Sequence, residues 1–136
     1  GLAGFADRYA GRRLGDSAVN DHDIEQEIQA KGANVAPRIT PADVEANIEI
    51  TYYFTGEDAL QFAGQNGSPF YAHRSMKLLT FCVLVMRNGF TVTGESACAS
   101  PENFDAELGR KIARQNAISK VWPLMGYHLK QKLAES

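Results

Sequence analysis

The chain has 136 residues, of which 44% are hydrophobic and 22% charged, and its formal net charge is −2. That is enough for one domain with a modest core. The weak negative charge argues against a general nucleic-acid binder and against a binder of anionic membranes.

The charge is unevenly placed. Asp16 through Asp58 holds ten acidic residues against Lys31 and Arg38, whereas from Arg110 onward there are six basic residues and only Glu135. The two halves attract each other, or the basic end meets an anion. Residues 1–19 carry three arginines and no apolar stretch of signal-peptide length, so they read as a flexible arm ahead of a single domain over 20–136. No apolar run reaches the ~18 residues of a membrane span. The expectation is a cytoplasmic protein with no membrane partner.

Residues 20–48 predict two short helices. Asn20 or Asp21 can cap the first, Asp23 and Glu25 suit its positive end, and Gly32 stops it. Ile24 and Ile28 give it a narrow apolar stripe. Thr40, Pro41 and Asp43 start the second in a box-like spacing, with Val44 and Ile48 on one face. Both are too short to be stable alone and must pack on something. Ile48–Thr55 alternates and is rich in β-formers, so a strand is expected there. Residues 56–74, with three glycines and a proline, read as a long loop. Its Phe62, Phe70 and Tyr71 either pack it down or form a lid over a ligand.

A central hairpin is expected over 75–97, with Asn88-Gly89 as a two-residue type I′ turn. That register faces Cys82 with Glu95 and Leu79 with Cys98. The two cysteines are then offset by three positions, about 10 Å, which is too far for a bond. Free thiols and a reducing compartment follow. On the same register Phe81, Val83, Val85, Phe90 and Val92 form the core face. Cys82, Leu84 and Met86 lie opposite Thr91, Thr93 and Glu95 on a face that is half apolar and half polar. Such a face is covered by a partner subunit or lines a pocket, and a homo-oligomer is expected.

Ser100 and Pro101 are expected to open the last helix, over 100–134. Phe104, Leu108, Ile112, Ile118, Trp122, Met125, Leu129 and Leu133 share one side. Pro123 lacks an amide donor, so a kink or a break is expected near Val121–Trp122. The fold class is α+β: an antiparallel sheet packed against C-terminal helices, with short N-terminal helices.

The three histidines are scattered and support no metal site. The acidic pairs serve helix ends and ion pairs, and the glycines form neither a Walker loop nor a dinucleotide fingerprint. Nothing favours a catalytic residue, a metal or a cofactor, so the expectation is a binder and not an enzyme. Arg110 and Arg114, one turn apart, either form a solvated flank or fork onto phosphate oxygens. Asn103 and the helix-start amides add uncharged donors. Phe90 or Phe104 can stack on a base. The candidate ligand-binding residues are Asn88, Phe90, Thr93, Glu95, Asn103, Phe104, Arg110 and Arg114.

The run NGFTVTGESACASPENFDAELGRKIARQNAISKVWPL, followed by GYHLKQKL, resembles the signature of a family of small tailed-phage proteins. That family includes or borders the Thoeris anti-defence sponges, and DHDIEQEIQAKG and APRITPADVEANI resemble the front part of its longer members. The resemblance implies a protein of the host cytoplasm that binds cyclic ADP-ribose isomers made by TIR-domain immune enzymes and sequesters them without cleavage. In some members, cyclic oligonucleotides are held at separate sites. It also implies dimers that assemble into hexamers. The front extension and the 56–74 insertion depart from the shorter sponges. The alternative is a small phage protein that inhibits a host enzyme by direct contact, ordering its acidic front half on the partner.

Overall fold

A computed structural model describes residues 20–63 and 72–136. The elements are α1 (Asp21–Ala30), α2 (Pro41–Ala46), β1 (Ile48–Thr55), α3 (Gly56–Ala63), a 3-10 turn (Arg74–Leu78), β2 (Leu79–Met86), β3 (Thr91–Ala97), a second 3-10 turn (Pro101–Asn103) and α4 (Ala106–Glu135). The strands form one antiparallel sheet in the order β1-β2-β3, and α4 packs across one of its faces. This is the expected α+β arrangement.

The two short helices begin as their sequences dictate. Asn20 accepts from the Asp23 amide, and Thr40 and Asp43 form a reciprocal capping box behind Pro41. Val44 is 1% exposed and reaches the core. The strand over Ile48–Thr55 forms as expected. The expected 56–74 loop is partly helical. Thr55 and Asp58 exchange a second pair of cap bonds, at 3.0 and 3.1 Å, that start α3. The side chains of Phe70 and Tyr71 lie outside the described residues.

The hairpin register differs from the expectation by one residue. Cys82 faces Gly94, Leu84 faces Val92 and Leu79 faces Ala97. The Gly89 amide donates to Met86 O and the Met86 amide to Phe90 O, both at 2.8 Å. The loop therefore has three residues, Arg87, Asn88 and Gly89. Gly89, at φ 87°, supplies the left-handed position that closes it. The Asn88 side chain accepts from the Phe90 amide at 2.9 Å and stabilises this form.

A one-residue slip exchanges the faces. Thr80, Cys82, Leu84 and Met86, with Val92 and Ser96, are the buried side under α4, while Phe81, Val83 and Val85 lie on the other face and are half-buried. Phe90 stands at the turn, 55% exposed. Ile50 and Tyr52 are exposed beside Phe81–Val85, and Phe54 stacks on Phe81 with centroids 5.5 Å apart. α4 lies against the opposite face, while α3 and the first 3-10 turn contact β1 and β2.

The last helix starts later than expected. Asp105, not Ser100, caps it by accepting from the Leu108 amide at 2.9 Å. It runs unbroken through Pro123. Its buried line is Gly109, Ile112, Ala113, Ala117 and Val121, of which Ile112 belongs to the expected stripe and the others lie beside it. Phe104, Leu108, Ile118, Trp122, Met125 and Leu129 are only half-buried, and Leu133 is exposed. The reason is Gly94. A Cβ there would lie 2.3 Å from both Ala113 O and Ala117 N. Helix and strand approach backbone to backbone, and only alanines fit between them. The buried Ser96 hydroxyl donates to Gly109 O at 2.7 Å and ties the start of the same contact.

Both cysteines are free and buried. Burial pushes the Cys82 thiol up to about 11, so its nucleophilic thiolate is absent at neutral pH. A thiol titration is expected to find almost no reactive cysteine in the native protein and both after denaturation. Rapid native modification of Cys82 would mean that α4 lifts from the sheet.

Candidate functional site

The turn end of the sheet meets the second half of α4 in an open trough. Two adjoining cavities, of about 390 and 240 Å³, share Asn47, Met125 and His128. One wall is the α4 face carrying Met125, His128 and Lys132. The other is formed by α2, Asn47 and the hairpin turn, with Arg87, Asn88 and Phe90. Met86 and Val121, both buried, form the floor.

The polar groups of the trough have spare valence. Arg87 is anchored through its Nε, which donates to Ala46 O at 2.6 Å. Its terminal nitrogens and Lys132 have no ion-pair partner among the described residues. Asn88 uses its carbonyl oxygen on the turn, so its amide nitrogen remains available. His128 adds a ring N–H donor. Against these stands one carboxylate, Asp43, which accepts from the Thr40 amide. Two cations against one engaged carboxylate, beside an exposed phenyl ring, suit an anion that carries a flat group.

The candidate residues taken from sequence divide among five places. Asn88 and Phe90 line the trough. Thr93 and Glu95 lie on the outer sheet face, opposite Val83 and Phe81. Asn103 donates to Ser100 Oγ at 3.2 Å. Phe104 and Arg110 line a separate cleft of about 90 Å³ with Tyr53 and Asp58. The Tyr53 hydroxyl is held above its ordinary range, chiefly by burial.

Arg114 is engaged elsewhere. It makes two bonds of 2.8 Å to Glu45 on α2. This pairing holds Glu45 below the usual carboxylate range and raises Arg114. At the helix start the Leu108 amide is taken by the Asp105 cap. The α4 flank that carries Arg110 thus offers one cation beside a carboxylate, in a narrow cleft that opens along Tyr53, Phe54 and Asp58 onto a wider depression against Ala59 and Phe62.

Arg87, Asn47, Met125, His128 and Lys132 are not among the ligand-binding candidates read from sequence, where Met125 belongs to the apolar stripe. Their signal was thin: a basic residue directly before Asn88-Gly89, and a His–Lys pair four apart on the face that carries Met125 and Leu129. Among the described residues there is no acidic, histidine or cysteine cluster able to hold a metal, and no helix is long and apolar enough to cross a membrane.

A family model, the phage protein (N4 Gp49/phage Sf6 gene 66) family, matches residues 39–133. The chain belongs to this family. It is a bacteriophage protein family, and the matched segment contains the whole trough, both walls included. No curated protein and no solved structure matches the chain. α1 lies ahead of the matched segment.

Proposed function

We propose that this phage protein binds a small cyclic nucleotide of bacterial immune signalling, a cyclic ADP-ribose isomer or a cyclic oligonucleotide, and holds it uncleaved in the trough. Sequestration removes the signal and blunts the defence. The supporting observation is the pairing of the exposed Phe90 ring with the uncommitted Arg87 and Lys132 charges over about 390 and 240 Å³. That space is of ligand size. The resemblance to the Thoeris sponges favours the same ligand class. Calorimetry with cyclic ADP-ribose isomers and with cyclic di- and trinucleotides tests the reading. The expected result is saturable heat with one of them and intact ligand recovered after heating. No heat with any, or recovery of a hydrolysed product, overturns it.

The outer sheet face supports a companion proposal, self-association. Ile50, Tyr52, Phe54, Phe81, Val83 and Val85 form an apolar patch on a single sheet, and packing against a second copy would bury both. The protein is expected to sediment as a dimer or larger at micromolar concentration, and Val83→Glu to sediment as a monomer without loss of helix or sheet signal. A parent that is already monomeric removes the proposal. If it also captures one host protein at stoichiometric level from a bacterial lysate, the host-enzyme inhibitor reading gains instead.

A further inference from the structure

We infer that α1 is a strap that sets the spacing of the trough walls, with Arg38 and Trp122 as positioning residues at its two anchor points. The inference rests on the trough being the binding site.

No residue of α1 is buried. Polar ties hold it at two places. Arg38 reaches Glu25 with both terminal nitrogens, at 2.6 and 2.5 Å. The Trp122 ring N–H donates to Asp21 Oδ2 at 2.9 Å. Between these ties the helix spans a cavity of about 260 Å³ lined by Ile24, Ile28, Ile39, Pro41 and Trp122. Apolar packing beneath α1 is therefore incomplete, and the ties carry much of its attachment.

The two anchors belong to opposite walls. Arg38 immediately precedes Ile39, which lines both this cavity and the trough and leads into α2. Trp122 lies on α4, one turn before Met125 in the other wall. It also precedes Pro123, which cannot donate to the carbonyl four residues back, so α4 lacks one backbone bond at that joint. Beyond Val121 the helix buries no residue. The wall that carries Met125, His128 and Lys132 meets the core through the half-buried Trp122 and Met125, and α1 is a direct brace between it and the α2 side. α1 lies ahead of the matched family segment at 39–133.

Hydrogen exchange on the free full-length protein tests this without any ligand. Glu25→Ala and Arg38→Ala are each expected to speed exchange in α1 by about tenfold. Exchange over residues 41–46 and 124–133 should rise with it, while β2 and β3 stay as protected as in the parent. Quenching of Trp122, the only tryptophan, by acrylamide should increase in parallel. Faster exchange in α1 with unchanged walls overturns the inference, and so does an α1 that is unchanged in both variants. A second arm measures affinity for cyclic ADP-ribose isomers. Loosened walls with weaker binding support both readings. Loosened walls in a protein that binds none of them leave the strap standing and remove the ligand.

Discussion

Replacing Gly94 with alanine is expected to destabilise the protein by at least about 3 kcal/mol, the upper part of the overpacking range, or to prevent folding outright. The added carbon would sit 2.3 Å from Ala113 O and from Ala117 N, and 2.8 Å from Ala117 Cα. All three are main-chain atoms of a helix interior, so no rotamer change relieves the clash. The helix must move away from the strand along its buried line. Leu84 and Ile112, at 0% and 1% exposure, would then lose the close contacts on which core dispersion energy depends. Gly109→Ala is the control. Its new carbon would meet the Thr80 hydroxyl at 3.1 Å, a side-chain atom that can turn, and removing a helix-interior glycine returns up to about 1 kcal/mol. Urea denaturation should show a large fall in midpoint for Gly94→Ala at constant slope and a small shift for Gly109→Ala. A Gly94→Ala protein within about 0.5 kcal/mol of the parent, the size of an ordinary surface change, would mean that α4 does not lie on β3 as described.

That contact also marks where the sequence stops being legible. The local signals were sufficient wherever a residue answers to its neighbours. Thr40 and Asp43 cap each other, Asn20 caps α1, and β1 occupies Ile48–Thr55. The hairpin is different, because Asn-Gly serves both a two-residue turn and a three-residue turn closed by glycine. The two differ by one residue of register and so by a whole face. β2 reads LTFCVLVM and is apolar on both sides, so its alternation cannot say which side is buried. Gly94 could have decided it, since a strand glycine often marks close backbone approach. The free thiols were expected for a reason that changed with the register, although the outcome is the same. The site was less legible still. Arg114 looks like a free phosphate fork along its own helix, but Glu45, 69 residues away, occupies it. Arg87 looks like a turn residue until Ala46 O, 41 residues away, fixes its Nε and directs the rest of the guanidinium outward. Contacts over such separations are set by how α2 lies against α4, which no local pattern records.

Arg87→Glu combined with Lys132→Glu is expected to weaken nucleotide binding by at least about 100-fold. Each charge-assisted bond to a phosphate is worth about 1.5–3 kcal/mol, and each 1.4 kcal/mol is about tenfold in affinity. Loss of two such bonds alone accounts for the figure, and two new carboxylates facing the phosphates add repulsion. The folded state should tolerate the change. Both side chains are exposed, Lys132 has no ion-pair partner among the described residues, and Arg87 gives up one bond to Ala46 O, worth about 1 kcal/mol. Parent affinity should also fall as salt is raised, because these charges are screened in an open trough. Phe90→Ala separates the ring from the charges: it should reduce affinity by roughly 1–3 kcal/mol if a base stacks there while leaving the salt dependence intact. Arg110→Ala with Arg114→Ala provides the opposing case. Removing Arg114 leaves Glu45 without its partner and lowers stability, yet neither residue lines the trough, so affinity should hold. Calorimetry on the two double variants decides between the flanks of α4. Binding that survives at the trough variant and disappears at the arginine pair would place the ligand beside Tyr53 and Phe104 instead.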